Sequence, residues 1–470
     1  MSTLRLCGLE TEYGLLYASS RWRSQAEAAL ALLACCPLES KVTYDSSLET
    51  PWQDARSSAL VVHRGVRVGL TDHAGYMLGN GARLYVDHGH PEYATPECLD
   101  ALTLVAYDKA GELLMERCRV ALNGTLPPDQ SVRLFKNNSD HQGHSYGCHE
   151  SYLLGTNYYE ALFRGPSDDL IARLVPFLVS RQVVCGSGKV GSENRRPAVG
   201  YQIAQRADFF ETVIGIETMQ RRPIINTRDE PHADCRHVRR LHVIVGDANM
   251  SEVSTYLKVG TMQVVLAMLE QGACRFDLTL ENPVAAMVQI SHDPTCRVAV
   301  PLRSGQRMTA VEIQQCFAEA AQRYVDTRPE ARRHAPVVRR WVAVLQQLAQ
   351  DPQHLWQSLD WVAKLRLLDE WRARRNLAWS APELKELDIR YHDVDSQTSI
   401  YALLCASGCM ERLVAEELVR RAAELPPEDT RAAARVRRIR AAGPRVIAAS
   451  WGAVLEHDGR GGYIHTPIDP

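Results

Sequence analysis

The hydrophobic pattern of this chain changes character along its length. Short strand-like runs dominate the first half, at Leu4–Thr11, Arg83–Asp87, Val132–Lys136, Ser151–Leu154, Val179–Cys185 and Leu241–Val245. Helical patterns separate them at Arg21–Cys36, Leu99–Ala121 and Ser254–Gln271. From Thr309 onward apolar residues recur at helical spacing through Val311–Val325 and Val337–Leu348, which predicts a mostly helical second half. Strands interleaved with helices of unequal length predict an α+β architecture rather than a regular βαβ wind. The polar stretch Tyr391–Thr398 reads as a linker, dividing a large unit, residues 1–395, from a small C-terminal one, residues 396–470. Within the latter, an Arg-rich helical segment, Glu411–Arg445, is broken by Pro426-Pro427, and Ile447–Asp469 reads as strand–turn–strand around Gly459–Gly462. Glu residues alternating with the first arginines mark that run as a solvated helix face.

Two of the strand-like runs carry chemistry. Glu10 and Glu12 are two residues apart, so in an extended chain their side chains share a face about 7 Å apart. By the same rule Arg83, Tyr85 and Asp87 share a face, while Leu84 and Val86 point to the other side. Clustered carboxylates repel unless a cation or proton intervenes. Hard oxygen ligands beside an arginine are what a magnesium–nucleotide site requires. Between these strands, residues 39–79 are long and polar, with Tyr44-Asp45, Glu49-Thr50-Pro51-Trp52 and a basic patch at Arg64–Arg67. Such a segment suits an active-site loop or a surface insertion better than a core element.

Composition narrows the setting. The fractions of hydrophobic (45%) and charged (23%) residues are those of an ordinary globular protein with a sizeable core. A net charge of −2 gives no support for a general nucleic-acid or membrane binder. The first residues carry no apolar signal-like run, and no stretch is long and apolar enough to span a bilayer. Thirteen cysteines without a CxxC pair fit neither a disulfide framework nor a zinc ribbon, so a reduced cytoplasm is the expected home.

Three polar motifs remain. Gly186-Ser187-Gly188-Lys189-Val190-Gly191 matches GxGxxG, but the sequence after it is a loop, so a dinucleotide fold is rejected and the glycines are read as a turn. Lys136-Asn137-Asn138 and His144–Glu150 read as a polar cleft-lining turn; Cys148 has no feature to support it as a nucleophile. The segment Asn226–Asp234 feeds a strand carrying His242, where nearby acids and arginines raise the prospect of a phosphate or metal role.

Taken together, GLETEYG at 8–14, NGARLYVDHGHPEY at 80–93, KNNSDHQGHSYGCHESYL at 136–153, SRQVVCGSGKV at 180–190, PIINTRDEPHAD at 223–234 and RRLHVIVGDANMSE at 239–252 resemble the Pup ligase and depupylase family. The likeness continues through LDWVAKLRLLDEW at 359–371, NLAWSAPEL at 376–384, PPEDTRA at 426–432 and AASW at 448–451. It implies a glutamine-synthetase-like fold: a curved antiparallel sheet forming a cradle, helices behind it and a small C-terminal domain. ATP and Mg2+ are the implied cofactors, and Pup or a Pup-like modifier, with its conjugates, the implied partner, in a pathway linked to a bacterial proteasome. The family has two activities, ligation of the modifier to lysine and hydrolysis of that isopeptide bond with deamidation of a terminal glutamine. Depupylases carry an extra loop before the RLYVD strand, and TYDSSLETPWQDAR at 43–56 is similar to it. SRQVV, AKLRLLDEW, LAWSAP and AASW also look like the depupylase side. Tyr93-Ala94-Thr95, Gly147–Glu150 and the ending soon after Thr466 resemble the ligase version. The reading is therefore a depupylase/deamidase, with the ligase as its alternative. By resemblance Glu10, Tyr85 and Glu92 match metal ligands, Arg83, Thr95 and Trp451 match nucleotide contacts, and Asp87 matches the catalytic aspartate. Polarity and strand facing add Glu12, His149, Arg228 and His242 as second-rank candidates.

Overall fold

A computed structural model describes residues 5–38, 41–47, 49, 53–56, 75–165, 169–230 and 232–468. Much of the expected loop at 39–79 therefore lies outside the described residues. The organising element is a ten-stranded sheet. From one edge its strands run Val238–Val243, Cys148–Gly155, Cys7–Glu12, His90–Ala94, Arg83–Asp87, Gly75–Met77 and Val42–Tyr44, then Val446–Ala449, Ala453–His457 and Tyr463–Pro467. All neighbours are antiparallel except Val446–Ala449, which runs parallel to Val42–Tyr44. The expected strands at residues 4–11, 83–87, 151–154 and 241–245 all fall in this sheet, shifted by a few residues at their ends. The run at 132–136 instead forms Ser131–Phe135, paired with Gly14–Ala18 in a separate two-stranded ladder.

One face of the sheet is apolar. Leu9, Leu84, Val86, Tyr93 and Tyr152 point into the main core together with Leu104, Val105 and Leu114 of the Ala101–Asn123 helix and Leu257 of the Glu252–Glu270 helix. Gly111 allows this close approach, since a Cβ there would lie 2.5 Å from the Tyr93 ring. The Ala101–Asn123 helix starts on Asp100, whose carboxylate accepts the Thr103 N–H. In the second half, Ala310–Thr327 opens with a capping box between Thr309 and Glu312 and presents Ile313, Phe317 and Ala321 to the core at helical spacing.

Three expectations are corrected. Residues 179–185, read as a strand, are helical turns (Val175–Ser180 and Gln182–Cys185) buried on every side. An apolar run without polar alternation fits a buried helix as well as a buried strand, and periodicity cannot separate them. The first half of the expected linker, residues 391–394, is buried rather than solvated: His392 and Asp393 are buried, and His392 meets Lys364 Nζ at 2.9 Å, while residues 396–398 are exposed. The arginine run is not wholly solvated either, because Arg435 on the Arg431–Ala442 helix is fully buried. The glycines of 186–191 permit a close approach to another strand: Gly186 and Gly188 are pressed against Ile203 and Tyr201, just before Lys189–Val190 pairs with Tyr201–Gln202.

Candidate active site

Strand register assembles the polar face of the sheet. Glu12 lies opposite Glu92, and Glu92 opposite Tyr85. Glu10 lies opposite His149, and Asp87 opposite His90. One strand further out, His242 lies opposite Ser151. Cross-strand partners point to the same side. Seven candidates from distant parts of the sequence thereby share one surface.

They form two adjoining groups. Donor atoms of Glu12, Asp87 and Glu92 lie within 4.8 Å of one another, as do those of Glu10, His149 and His242. In the first group the Tyr85 hydroxyl donates to Glu92 Oε1, while Glu92 Oε2 is buried without a hydrogen-bond partner among the described residues. Burial, then the charges of Asp87, Glu12 and Glu10, push the Glu92 carboxyl well above its ordinary range. Burial and Asp87 likewise raise Glu12, although the Gly147 N–H donates to it at 2.8 Å. In the second group burial would raise Glu10, but the His149 and His242 rings and Arg240 outweigh it and hold the carboxyl well below the usual value. Asn226 Oδ1 lies 3.1 Å from His242 Nδ1, and its amide nitrogen is turned to the Ile216 carbonyl. The oxygen thus faces Nδ1, while His242 Nε2 is buried, unbonded among the described residues and 3.8 Å from Glu10. Orphaned carboxylate oxygen and imidazole nitrogen on one crowded face are a donor set that fits divalent cations.

The nucleotide candidates lie to one side. The Arg83 guanidinium is stacked between Tyr44 and Tyr85, 3.6 and 4.0 Å from their ring centres, and bonds Glu49 at 2.9 Å. Trp451, in the turn after the Val446–Ala449 strand, meets the Tyr44 ring at 6.3 Å. Trp451, Thr95 and Glu10, with Arg240 and Arg431, line a cavity of about 390 Å³. Glu12, Asp87, His149 and His90 open instead on a larger cavity of about 960 Å³. Arg206 and Arg222 line that second space. Neither has an ion-pair partner among the described residues, and burial lowers the Arg222 guanidinium to about 10. The 137–147 segment lines it too, as the cleft reading expected. Lys136, by contrast, is fully buried on Asp108 and Glu112. Cys148 faces the core beside Thr11 and Lys258. Arg228 lies next to the site: its N–H donates to Asn226 Oδ1, and its side chain lines neither cavity.

Sequence reasoning missed Arg240, which bonds Glu10 at 3.1 Å and Ser151 at 3.2 Å. The signal existed, because Arg240 is two residues from His242 on the same strand face. Arg206 and Arg222 gave no such signal: Arg206 lies in a loop, and Arg222 opens the short strand Arg222–Asn226, which lies outside the main sheet.

An α+β molecule whose sheet presents clustered carboxylates and imidazoles between two cavities is of the glutamine-synthetase-like class. The chain belongs to the Pup-ligase protein family, whose profile matches residues 5–455. It is 44% identical to a depupylase of Acidothermus cellulolyticus over 96% of this chain and 90% of that one. It is 42% identical to a Pup deamidase/depupylase of Mycobacterium tuberculosis over 98% and 93%. A Pup–protein ligase of Acidimicrobium ferrooxidans is 45% identical over 78% and 79%. Among solved structures, the ligase PafA in complex with Pup superposes with a TM-score of 0.81 at 33% identity, covering 100% of this chain and 88% of that one. PafA in complex with ADP gives 0.75 at 36% identity, covering 84% and 87%. Among the described residues no helix is long and apolar enough to cross a membrane.

Proposed function

We propose that this protein is an ATP- and magnesium-dependent depupylase and deamidase. It hydrolyses the isopeptide bond between the C-terminal glutamate of Pup, or a Pup-like modifier, and a substrate lysine, and converts a terminal glutamine of the modifier to glutamate. The observation that carries this is Asp87, which opens on the larger cavity while sharing the carboxylate group with Glu12 and Glu92. Hydrolysis is favoured over ligation by the breadth of the match to depupylases, 96–98% of the chain against 78% for the ligase. Cytoplasmic location, a link to a bacterial proteasome and a division near residue 396 belong to the same proposal.

The modifier's last residue would enter the 960 Å³ cavity with its scissile amide carbonyl at Asp87. The Asp87 carboxylate then attacks that carbon, or takes a proton from a water that does. The C–N bond breaks, the lysine amine leaves with a proton, and the added water oxygen completes the new carboxylate. Glu10, Tyr85 and Glu92 would hold magnesium, with Glu12, His149 and His242 beside them; when bound, the ion supplies positive charge toward the developing oxyanion. Thr95 and Trp451, which line the smaller cavity, would hold ATP there, with Arg83, which lines neither cavity, as the third nucleotide contact beside Tyr44 and Tyr85; ATP would act chiefly as a bound cofactor whose phosphates order the site. Arg206, buried, and Arg222, half-buried, have no carboxylate partner among the described residues and would face an anionic group of the modifier's terminus.

The direct test is cleavage of a purified Pup conjugate with ATP, by wild type and by Asp87→Asn. Release of free target by wild type only is the expected result. No release by wild type, or equal release by the variant, would sink the reading. Incubating wild type with free Pup ending in glutamate, ATP and a target protein tests the ligase alternative, which predicts conjugate accumulation.

A further inference from the structure

Arg435 has no exposed surface, yet it sits at the junction of four chain segments. Its guanidinium grips Glu97 with both branches, at 3.1 and 2.9 Å. The same branches bond the Trp451 carbonyl at 2.9 Å and the Gly81 carbonyl at 2.9 Å. Its central carbon lies 5.1 Å from the Trp451 ring centre. One turn earlier, Arg431 bonds Glu97 at 2.6 Å and the His232 carbonyl at 2.7 Å. Glu97 follows the strand carrying Glu92, and Gly81 precedes the strand carrying Arg83. Trp451, Arg431, His232 and Glu97 all line the 390 Å³ cavity.

We propose that Arg435, locked to Glu97, is a positioning residue for the nucleotide: it sets Trp451 and Arg431 as the cavity wall contributed by the C-terminal segment. The inference rests on the reading of this cavity as the nucleotide site. A planar guanidinium can hold two carboxylate oxygens and two carbonyls in fixed directions; a lysine ammonium or an apolar side chain cannot. Arg435 touches no ligand in this arrangement and acts through Trp451. By linkage, a nucleotide that packs on Trp451 tightens the docking of residues 431–467 in return.

The test is ADP binding with magnesium, measured by titration calorimetry on wild type, Arg435→Met, Glu97→Gln, Trp451→Ala and the Arg435→Met/Trp451→Ala pair. Arg435→Met and Glu97→Gln are each expected to weaken ADP binding about tenfold, as loss of a buried charged hydrogen-bond pair should. The change should fall on the apparent KM for ATP in conjugate cleavage far more than on kcat. With Trp451 already truncated, Arg435→Met should add little, because its effect passes through that ring. Glu97→Gln keeps the side chain's shape and serves if Arg435→Met does not fold. Wild-type ADP affinity in both single variants, losses that multiply in the pair, or a fall in kcat at unchanged KM would each overturn the clamp. No ADP binding by wild type would overturn the nucleotide reading of the cavity, and the clamp with it.

Discussion

Glu92 is buried, with one carboxylate oxygen on the Tyr85 hydroxyl and the other on no partner among the described residues, and Glu12 and Asp87 crowd it within 4.8 Å. Without a cation this arrangement is unfavourable twice over, through desolvation and like-charge repulsion. Glu92→Gln should therefore stabilise the metal-free protein by roughly 1–3 kcal/mol while abolishing cleavage. Thermal unfolding in EDTA checks the first half, and a lower melting temperature than wild type would refute it. The pH dependence has a definite sign. A carboxyl raised in the folded state contributes stability that is whole below about pH 4.3 and is lost as pH rises through the folded value. The advantage of Glu92→Gln over wild type in EDTA should accordingly be small in acid and grow toward neutrality. At this scale the sequence was informative where a strand face was visible: the two-residue period put Glu10 with Glu12, and Arg83 with Tyr85 and Asp87. It carried no information on which strands become neighbours. That is why His149 and His242 could be ranked only on polarity and strand facing, and Arg206 and Arg222 not found at all.

Among the elements, the Arg431–Ala442 helix depends on one carboxylate. Burial would raise Glu97, but Arg435 and then Arg431 overcome it and bring the carboxyl down to about 2. The sign is opposite to that of Glu92. The stabilisation is whole above about pH 4.3 and is lost as pH falls toward 2, on the order of 3 kcal/mol in all. Acid should therefore loosen residues 431–467 ahead of the main core. Hydrogen exchange across pH 5 to about 2 is the measurement, and Glu97→Gln should flatten the dependence there. Equal acid sensitivity in wild type and variant would refute the assignment. Pairing of this kind also explains why the arginine run misled: spacing and alternating Glu describe a helix surface, whereas burial of Arg435 follows from a glutamate more than three hundred residues away. Residues 391–394 misled for the same reason. Their polarity is that of a buried network around Lys364, Asp388 and His392, and polar composition alone looks the same in a network as in a linker. Helices with a clear apolar stripe, such as Ala310–Thr327, were legible because burial and periodicity agree.

Across the whole molecule, the sheet places the two acidic groups between two cavities of different character. The smaller is closed by the C-terminal segment through Trp451 and Arg431; the larger is rimmed by the 133–147 segment, Arg206 and Arg222. This division predicts that cofactor and substrate defects are separable. Trp451→Ala should raise the apparent KM for ATP about tenfold or more, as loss of a stacked aromatic wall would, and leave the KM for conjugate nearly unchanged. Arg206→Met should do the reverse, because a buried cation facing an anionic terminus acts on the substrate alone. Steady-state cleavage with each component varied in turn reads both. If either variant moved the two constants together, the cavities would be functioning as one site, and the assignment of ATP to the smaller and the modifier to the larger would fail. Glu10 bonds Arg240 and lines the small cavity, while its cross-strand partner His149 lines the large one, so the two compartments adjoin at this pair. The test discriminates because Trp451 lines only the smaller space and Arg206 only the larger.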